Sequence, residues 1–432
     1  VIAQNATATI ALDGVKINAP QQTSAIDLSS GSKLTLILPA GTESTLVGGN
    51  WDSSDLSGNS SGCAGIHVPN GATLNIKCSE TDMHTCSESS CGKLSATGGY
   101  YSAGIGGNQN ETCGTIIIDG GIVNATGSIN AAGIGGGDKG SGGDITINGG
   151  VVTAKLASDG GGNGAGIGGG AGADNGTFST SIDGTTGNAV IFASSSLAGN
   201  EIGDDEDTSD WSGVIFRGKE GKVYGNVTLS DSFEIPEDYT LTIPDGTKLT
   251  IPESVAITNN GTIDMVDNGK IDPESRISGS GEIRQFYTVT FNTNGHGTAP
   301  ENILAVKDSK ITQPNKPTAT GYTFDGWYKD KNCTTPWTFD TDTITEKTTL
   351  YAKWLLNTTP ILPGTTVRYI VQHYKEGDSG YILAETECPA GEIGDTVTAQ
   401  PKTYSGYVYN AEKSTASGTL KELKADGDIV IL

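Results

Sequence analysis

One short glycine motif recurs along the first half of the chain. The sequence "AGIGG" begins at Ala103, Ala132 and Ala165, so successive copies lie 29 and 33 residues apart. The first two copies are each followed by a second shared phrase, "GTIIIDGGIVNATG" and "GDITINGGVVTAKL", and a frayed version, "STSIDGTTGNAVIFA", follows the third. Self-similarity at a fixed period of this size predicts a repeat architecture, in which each unit packs against its neighbours.

The shared phrases indicate how the repeats pack. Ile116 in one copy matches Ile145 in the next, whereas Ile117 points to the opposite side of a strand. One repeat cannot bury its own apolar residues, so matching isoleucines must stack into a continuous interior ladder. We therefore predict an all-β chain in which residues 1–285 form a right-handed parallel β-helix (solenoid), with shorter coils from about residue 222.

The glycine motif has a second interpretation, a phosphate-binding loop. Such a loop follows a strand, opens a helix and, in a P-loop, ends in Gly-Lys-Ser/Thr. The stretch "AGIGGGDKGSGGD" opens another strand and has no such ending. The motifs are therefore interpreted as the corners of stacked coils, where glycine permits tight turns and close approach of neighbouring backbones.

The net charge and the hydropathy of the chain limit the kinds of partner that it can bind. The chain has 50 acidic and 26 basic residues, which gives a formal net charge of −24. Such a surface repels nucleic acid and anionic lipid, so we expect no nucleic-acid partner. No run approaches 18 consecutive apolar residues, which predicts no membrane insertion in this fragment.

A segment richer in aromatic residues follows the repeats, at residues 286–355. It contains "YTVTFNTNG" (287–295), "GYTFDGWY" (321–328) and "LYAKW" (350–354). With these motifs it resembles the internalin-type B repeat, also called the Listeria–Bacteroides repeat. The resemblance implies a small β-grasp-like module of a bacterial surface protein.

A Pro-containing linker, residues 356–366, leads to the last segment, residues 367–432. The phrases "VRYIVQHYKE", "GEIGDTVTAQP" and "YSGYVYN" resemble the mucin-binding-type repeat of Gram-positive adhesins. That family's closing aromatic strand does not follow "DIVIL", so we expect this second β-grasp-like module to be truncated.

The amino-terminal part, from about residue 30 to residue 285, resembles the carbohydrate-binding β-helix segments of secreted Firmicutes proteins. The shared phrases are "AGIGGG", "GTIIIDGG" and "LTIPDGTKLTIPESVAITNNGTI". These residues build coils and do not identify a ligand, so the resemblance implies carbohydrate binding only in outline.

Because β-helices include polysaccharide lyases and glycoside hydrolases, the carboxylates must be considered. Asp119, Asn148 and Asp183 occupy equivalent places before turn glycines in successive copies. Side chains of this type at a turn commonly hydrogen-bond their own backbone. We therefore predict no catalytic residues.

The loop "GDDEDTSDW" concentrates acidic residues, and Asp204, Asp205, Asp207 and Asp210 are candidate Ca²⁺ ligands. The loop lacks the glycine and final glutamate of an EF-hand. A solvated acidic loop is the preferred interpretation, with Ca²⁺ as the alternative and no other cofactor expected.

Five of the seven cysteines lie close together and are candidates for disulfides, which would suit an exported protein. They are Cys63, Cys78, Cys86, Cys91 and Cys113. Zinc ligation together with His84 is the alternative, although the spacing departs from paired Cys-x2-Cys motifs.

Four aromatic residues could offer flat faces to sugar rings: Trp51, Tyr100, Tyr101 and Trp211. With these as ligand-binding candidates, we predict a secreted or cell-wall adhesin that binds host or dietary polysaccharide or glycoprotein glycans through the β-helix, without catalysis. The carboxyl-terminal repeats would serve as a stalk. The alternatives are a polysaccharide lyase or glycoside hydrolase, and a structural spacer whose binding head lies outside this fragment.

Overall fold

The structure, a computed structural model, divides into two compact units. The residues it describes are 1–50, 62–78, 91–157, 162–180, 188–195, 201–202, 208, 211–357, 366–377, 380–392, 394–406, 408 and 417–419. Unit 1 is Val1–Tyr287 and unit 2 is Thr288–Leu432. Within the described residues, regular structure is β-strand apart from a 3₁₀ turn at Glu274–Arg276, and no helix is long and apolar enough to cross a membrane.

Unit 1 begins with coils that each contribute short strands to three parallel sheets. In chain order the strands are β1 (Thr7–Ala11), β2 (Lys16–Asn18), β3 (Ile26–Asp27), β4 (Lys33–Ile37), β5 (Glu43–Val47), β6 (Ile66–His67), β7 (Thr73–Lys77), β8 (Lys93–Thr97), β9 (Ile105–Gly106), β10 (Thr115–Ile118), β11 (Ile122–Gly127), β12 (Ile134–Gly135), β13 (Asp144–Ile147), β14 (Val151–Leu156), β15 (Ile167–Gly168), β16 (Thr177–Ser179) and β17 (Val190–Ser194). Sheet 1 contains β1, β4, β7, β10, β13 and β16, and sheet 3 contains β3, β6, β9, β12 and β15. Sheet 2 begins with β2, β5, β8, β11, β14 and β17 and continues into the strands that follow them. This arrangement confirms the predicted parallel β-helix.

The isoleucine ladder lies inside the coils as predicted. Ile116 pairs in register with Ile145, and both side chains are at most 1% exposed. Ile117, between the inward positions of the same strand, is partly exposed. Each fully buried aliphatic side chain of this kind stabilises the fold by about 1.5–3 kcal/mol relative to exposure. The interior of the coils is therefore the main source of stability.

The "AGIGG" motifs form a sheet of their own, a role beyond the corners that the sequence indicated. They supply the strands β9, β12 and β15 of sheet 3, in which Ile134 pairs with Ile105 and Ile167. Gly135 has φ +133°, and a Cβ placed on it would lie 1.9 Å from the carbonyl oxygen of Gly168 in the next coil. Glycine is required here because any side chain would push successive coils apart.

A hairpin reverses the strand direction after β17. Strand β18 (Gly213–Arg217) pairs in parallel with β17, and β19 (Glu220–Tyr224) pairs antiparallel with β18. Unlike the alternating strands before them, β17 and β18 have nearly continuous apolar sequences, "VIFAS" and "GVIFR". This pattern is typical of strands that are covered on both faces.

Two hydrophobic cores lie on opposite faces of β17 and β18. Ile191 and Ile215 belong to the core of the first coils, whereas Val214 and Phe216 belong to the core of the coils that follow. Two things change at the hairpin: the strands run in the opposite direction, and the core lies on the opposite face of the sheet. Either change alone would invert the handedness of the coils. Together they leave the two sets of coils with the same hand.

The later coils of unit 1 are shorter but again have three strands each. These strands are β20 (Val227–Thr228), β21 (Phe233–Ile235), β22 (Thr240–Ile243), β23 (Lys248–Thr250), β24 (Ile257–Asn259), β25 (Thr262–Val266), β26 (Lys270–Asp272), β27 (Ile277–Ser278) and β28 (Glu282–Asn292). Thr240 and Thr262 are register partners, so one coil takes 22 residues. The two "LTIP" phrases, at Leu241 and Leu249, lie on successive strands of one coil and face the same core.

Unit 2 contains two groups of strands. The first comprises residues 289–292 of β28 with β29 (Ile303–Val306), β30 (Tyr322–Tyr328) and β31 (Thr348–Leu356), packed around the buried side chains of Trp327 and Leu350. The second comprises the antiparallel pairs β32 (Thr366–Arg368) with β35 (Ala390–Glu392), β33 (Val371–Gly377) with β34 (Gly380–Glu387), and β36 (Thr396–Thr398) with β37 (Ser417–Thr419).

Candidate functional site

A histidine held between two carboxylates is the most distinctive polar group of the solenoid. His67 ends β6, and its register partner on β3 in the preceding coil is Asp27. His67 Nδ1 lies 2.7 Å from Asp27 Oδ1, and His67 Nε2 lies 2.8 Å from Glu111 Oε2. Glu111 comes from the loop after β9, so residues from three successive coils meet at the edge of sheet 3.

The electrostatics favour a positively charged imidazole. Burial lowers the pKa of His67, but the hydrogen bonds to Glu111 and Asp27 outweigh it, so the pKa lies above the usual value. The hydrogen bond to His67 lowers the pKa of Glu111, against the opposing effect of burial. Both ring nitrogens are engaged by carboxylates, so neither is free to act as a general base.

A thiol lies beside this cluster. Burial raises the pKa of Cys63, and the negative charges of Asp27 and Glu111 raise it further. A thiol in such surroundings stays protonated at neutral pH and is a poor nucleophile. The backbone next to it is held by Asn108, whose Oδ1 accepts a hydrogen bond from the Ala64 amide at 2.8 Å. The cluster is therefore suited to fixing three coils together rather than to covalent chemistry.

The sequence interpretation missed this group, although a signal for it exists. Each of the first three strands of sheet 3 is an isoleucine followed by one further residue. In these three coils that second residue is Asp27, His67 and Gly106, respectively. Aligning these short strands would have placed Asp27 next to His67. Glu111 lies in a loop, and no register rule predicts its position.

The predicted aromatic residues do not form one surface. Tyr100 and Tyr101 follow β8 and are partly exposed, with ring centroids 4.2 Å apart. A side-chain hydrogen bond with Tyr100 is the main cause that raises the pKa of Tyr101. Trp51 lies outside the described residues.

Trp211 is in a different environment from the one that its proposed role requires. Its side chain is only 5% exposed, and its ring packs edge-to-face against Phe178 and Tyr224, with centroids 5.3 Å away in each case. It belongs to the core of the first coils. Because a sugar ring cannot reach a side chain buried in this way, Trp211 is corrected from a ligand-binding residue to a core residue.

The cysteine candidates divide into two groups. Cys78 and Cys91 are disulfide-bonded, while Cys86 lies outside the described residues. Cys63 and Cys113 are free thiols instead of the disulfide partners expected for them. Cys113 is buried inside the coils, and this burial raises the pKa of its thiol to about 12.

The remaining candidates concern metal and catalysis. Asp204, Asp205, Asp207 and Asp210 all lie outside the described residues, and Asp183 does too. In the part of the chain that is described, no group of three or more His, Cys, Asp or Glu side chains is placed to hold a metal ion. Asn148 Nδ2 donates a hydrogen bond to Asp119 Oδ1 of the preceding coil at 2.8 Å, a contact between two side chains where a bond to the local backbone was expected.

Known proteins resemble this chain through its aromatic segment. Residues 287–353 match the family model of the Listeria-Bacteroides repeat domain. This match confirms the predicted internalin-type repeat.

Three curated relatives share a segment of similar length. The chain is 46% identical over 71 residues to a protein named as a membrane protein of Evansella cellulosilytica, and 45% identical over 71 residues to one named as a Gly-rich membrane protein of the same organism. It is 37% identical over 76 residues to Internalin H of Listeria monocytogenes. These matches cover 16%, 16% and 17% of this chain but only 10%, 8% and 13% of the relatives.

Proposed function

We propose that this chain is part of a bacterial surface protein of the Firmicutes whose solenoid binds glycans without chemical turnover. The observation that carries the proposal is the Listeria-Bacteroides repeat at residues 287–353, which also supports an extracellular location. The names of the relatives, two membrane proteins and an internalin, agree with display at a cell surface. The repeats of unit 2 would act as a stalk that carries the solenoid.

The mechanism is multivalent weak binding. A parallel β-helix repeats similar side chains at the strand spacing of about 4.8 Å, so one extended polymer can contact several coils at once. Each contact is weak, and the affinity comes from many contacts per molecule and many molecules per cell. Tyr100 and Tyr101 provide partly exposed aromatic rings for stacking against sugar faces.

A glycan array probed with the full chain tests whether the protein binds glycans. The same glycans are also assayed for new reducing ends and unsaturated products, which would reveal cleavage. We expect binding to host or plant glycans without product formation, and weaker binding when Tyr100 and Tyr101 are both changed to alanine. Tyr381→Ala is the matched control, because Tyr381 is 56% exposed but lies in the hairpin of unit 2.

The outcomes separate the alternatives. New reducing ends or unsaturated products would replace the binding role with that of a lyase or hydrolase. Absence of binding to every glycan would favour a structural spacer. Repeating the array with a chelator tests whether Ca²⁺ at the acidic loop, residues 203–211, contributes to binding.

A further inference from the structure

The outward face of sheet 2 carries a straight row of uncharged polar side chains. This polar row consists of Thr45, Ser95, Asn124 and Thr153, one residue from each of four successive coils and all in register. All four side chains are partly exposed, and none of them forms a side-chain hydrogen bond with any described residue. Their hydrogen-bonding capacity is therefore available to a ligand that lies along the solenoid axis.

The row ends at an aromatic ring. The next residue in register after Thr153 is Phe192, which is partly exposed. One face of the Phe192 ring is stacked on Phe216, with centroids 4.5 Å apart and planes 8° apart. The in-register neighbour on its other side is Thr153, so an aromatic face borders the end of the polar row.

The change of core across sheet 2 produces a step at this point. Because the later coils have their core on the outward side of β17, they rise from the face that carries the polar row. Phe192 and the partly buried Val151 pack against that core, and the ring of Tyr239 lies 6.3 Å from that of Phe192. A polymer lying along the row meets an aromatic wall at the step.

The four members of the polar row are uncharged, which fits a neutral ligand. Lys16 continues the register beyond Thr45, Lys155 lies on the same face of β14 as Thr153, and Glu43 and Lys93 are register partners of opposite sign. The formal charge of the chain, −24, repels a polyanion at long range. Hydroxyl and amide groups donate and accept hydrogen bonds equally well, as the hydroxyls of a neutral sugar require.

We propose that the polar row binds a neutral, linear polysaccharide parallel to the solenoid axis, with its terminal sugar stacked against Phe192 at the step. This inference rests on the proposed glycan-binding function and specifies its site and ligand class. Each coil advances by about 4.8 Å, which is comparable to the length of one sugar unit in an extended chain. Successive sugars therefore contact successive coils.

Affinity gel electrophoresis of the full chain tests the proposal. The gels contain a neutral polymer (hydroxyethyl cellulose, mixed-linkage β-glucan or galactomannan) or an anionic one (polygalacturonate or heparin). The test variant replaces Asn124 and Thr153 by valine, which keeps the strand propensity and removes the hydrogen-bonding groups. The matched control replaces Thr35 and Thr146 by valine, since both are also partly exposed, on the outward face of sheet 1.

We expect a neutral polymer to retard the wild-type chain and the control variant equally. The test variant should bind at least roughly tenfold more weakly, which corresponds to the loss of one to two hydrogen bonds. Equal retardation of the test variant, retardation only by an anionic polymer, or no retardation by any neutral polymer would overturn the proposal. If the array binding persists in the test variant but is lost when Tyr100 and Tyr101 are changed, the polar row is excluded while the proposed function stands.

Discussion

Replacing His67 by glutamine tests how the first three coils are held together. Glutamine retains a polar side chain of similar reach but carries no charge and cannot donate to two carboxylates from opposite ends of a ring. The change therefore removes the charge from an arrangement in which Asp27 and Glu111 approach from the two neighbouring coils.

The size of the stability loss in His67→Gln depends on how far the three charged side chains are exposed to water. The side chain of His67 is 12% exposed, but those of Asp27 and Glu111 are 41% and 45% exposed. A hydrogen bond to a charged group contributes about 1.5–3 kcal/mol when it is shielded from water. Solvent screening of the carboxylates reduces each contact to about 0.5–1 kcal/mol. We therefore expect His67→Gln to cost about 1–2 kcal/mol at pH 5.5.

The cost depends on pH with a definite sign. Because the folded-state pKa of His67 is raised, its contribution is complete below the unfolded value and is lost as pH rises through the folded pKa. Because the pKa of Glu111 is lowered, its contribution is lost as pH falls through the folded value. The difference between wild type and variant is therefore largest between about pH 4.3 and 6.5 and shrinks towards pH 9.

Hydrogen exchange of the peptide covering residues 62–78 measures this local opening free energy, once intrinsic rates are corrected for pH. Glu111→Gln provides the partner variant, and we expect His67→Gln to cost less in that background because the two residues share one contact. A difference between wild type and variant that is the same at pH 5.5 and pH 9, or larger at pH 9, would refute the ion-pair explanation.

Three further predictions concern the packing of the coils. Ile116→Ala should lower the free energy of unfolding by about 2–5 kcal/mol, whereas Ile117→Ala, on the outward side of the same strand, should lower it by less than about 1 kcal/mol. Equal losses for the two variants in urea unfolding would contradict the inward ladder. Gly135→Ala should lower the free energy of unfolding by about 3 kcal/mol or more, because the added Cβ meets a carbonyl oxygen in the next coil. Gly14→Ala is the control: its Cβ has open space, so it should lose only the cost of its positive φ, about 1–2 kcal/mol. The Cys113 thiol, whose pKa is raised to about 12 by burial, should react with a thiol reagent at pH 8 only after unfolding, and rapid reaction of the native chain would show that the coil interior is open there.

Much of unit 1 could be predicted because it repeats. The pairing of Ile116 with Ile145 followed directly from two matching phrases, since identical residues in adjacent repeats occupy the same place in adjacent coils. The buried position of Trp211 could not be predicted in this way. Its contacts are Phe178, which continues the Ile116–Ile145 ladder on β16, and Tyr224, which follows the hairpin and lies outside the repeat, so no alternation rule indicated whether the ring faced sugar or core.

The reversal at β18 shows the same limit. The apolar sequences "VIFAS" and "GVIFR" carried a signal for strands buried on both faces, but a short apolar run does not say what covers each face. Only the register of β18 with β19, together with the division of Ile215 and Phe216 between two cores, places the later coils on the opposite side of sheet 2.

The sequence by itself determined the period of the coils, the inward residues of each strand and the aromatic repeat that follows the solenoid. These properties depend on local alternation and on the match between neighbouring copies, both of which are visible along the chain. Only the tertiary structure decided that His67 also meets Glu111, 44 residues away in a loop, and that a polar row ends at Phe192. Loops of unequal length separate these residues, so their meeting depends on how the coils stack in space, which no single stretch of sequence encodes.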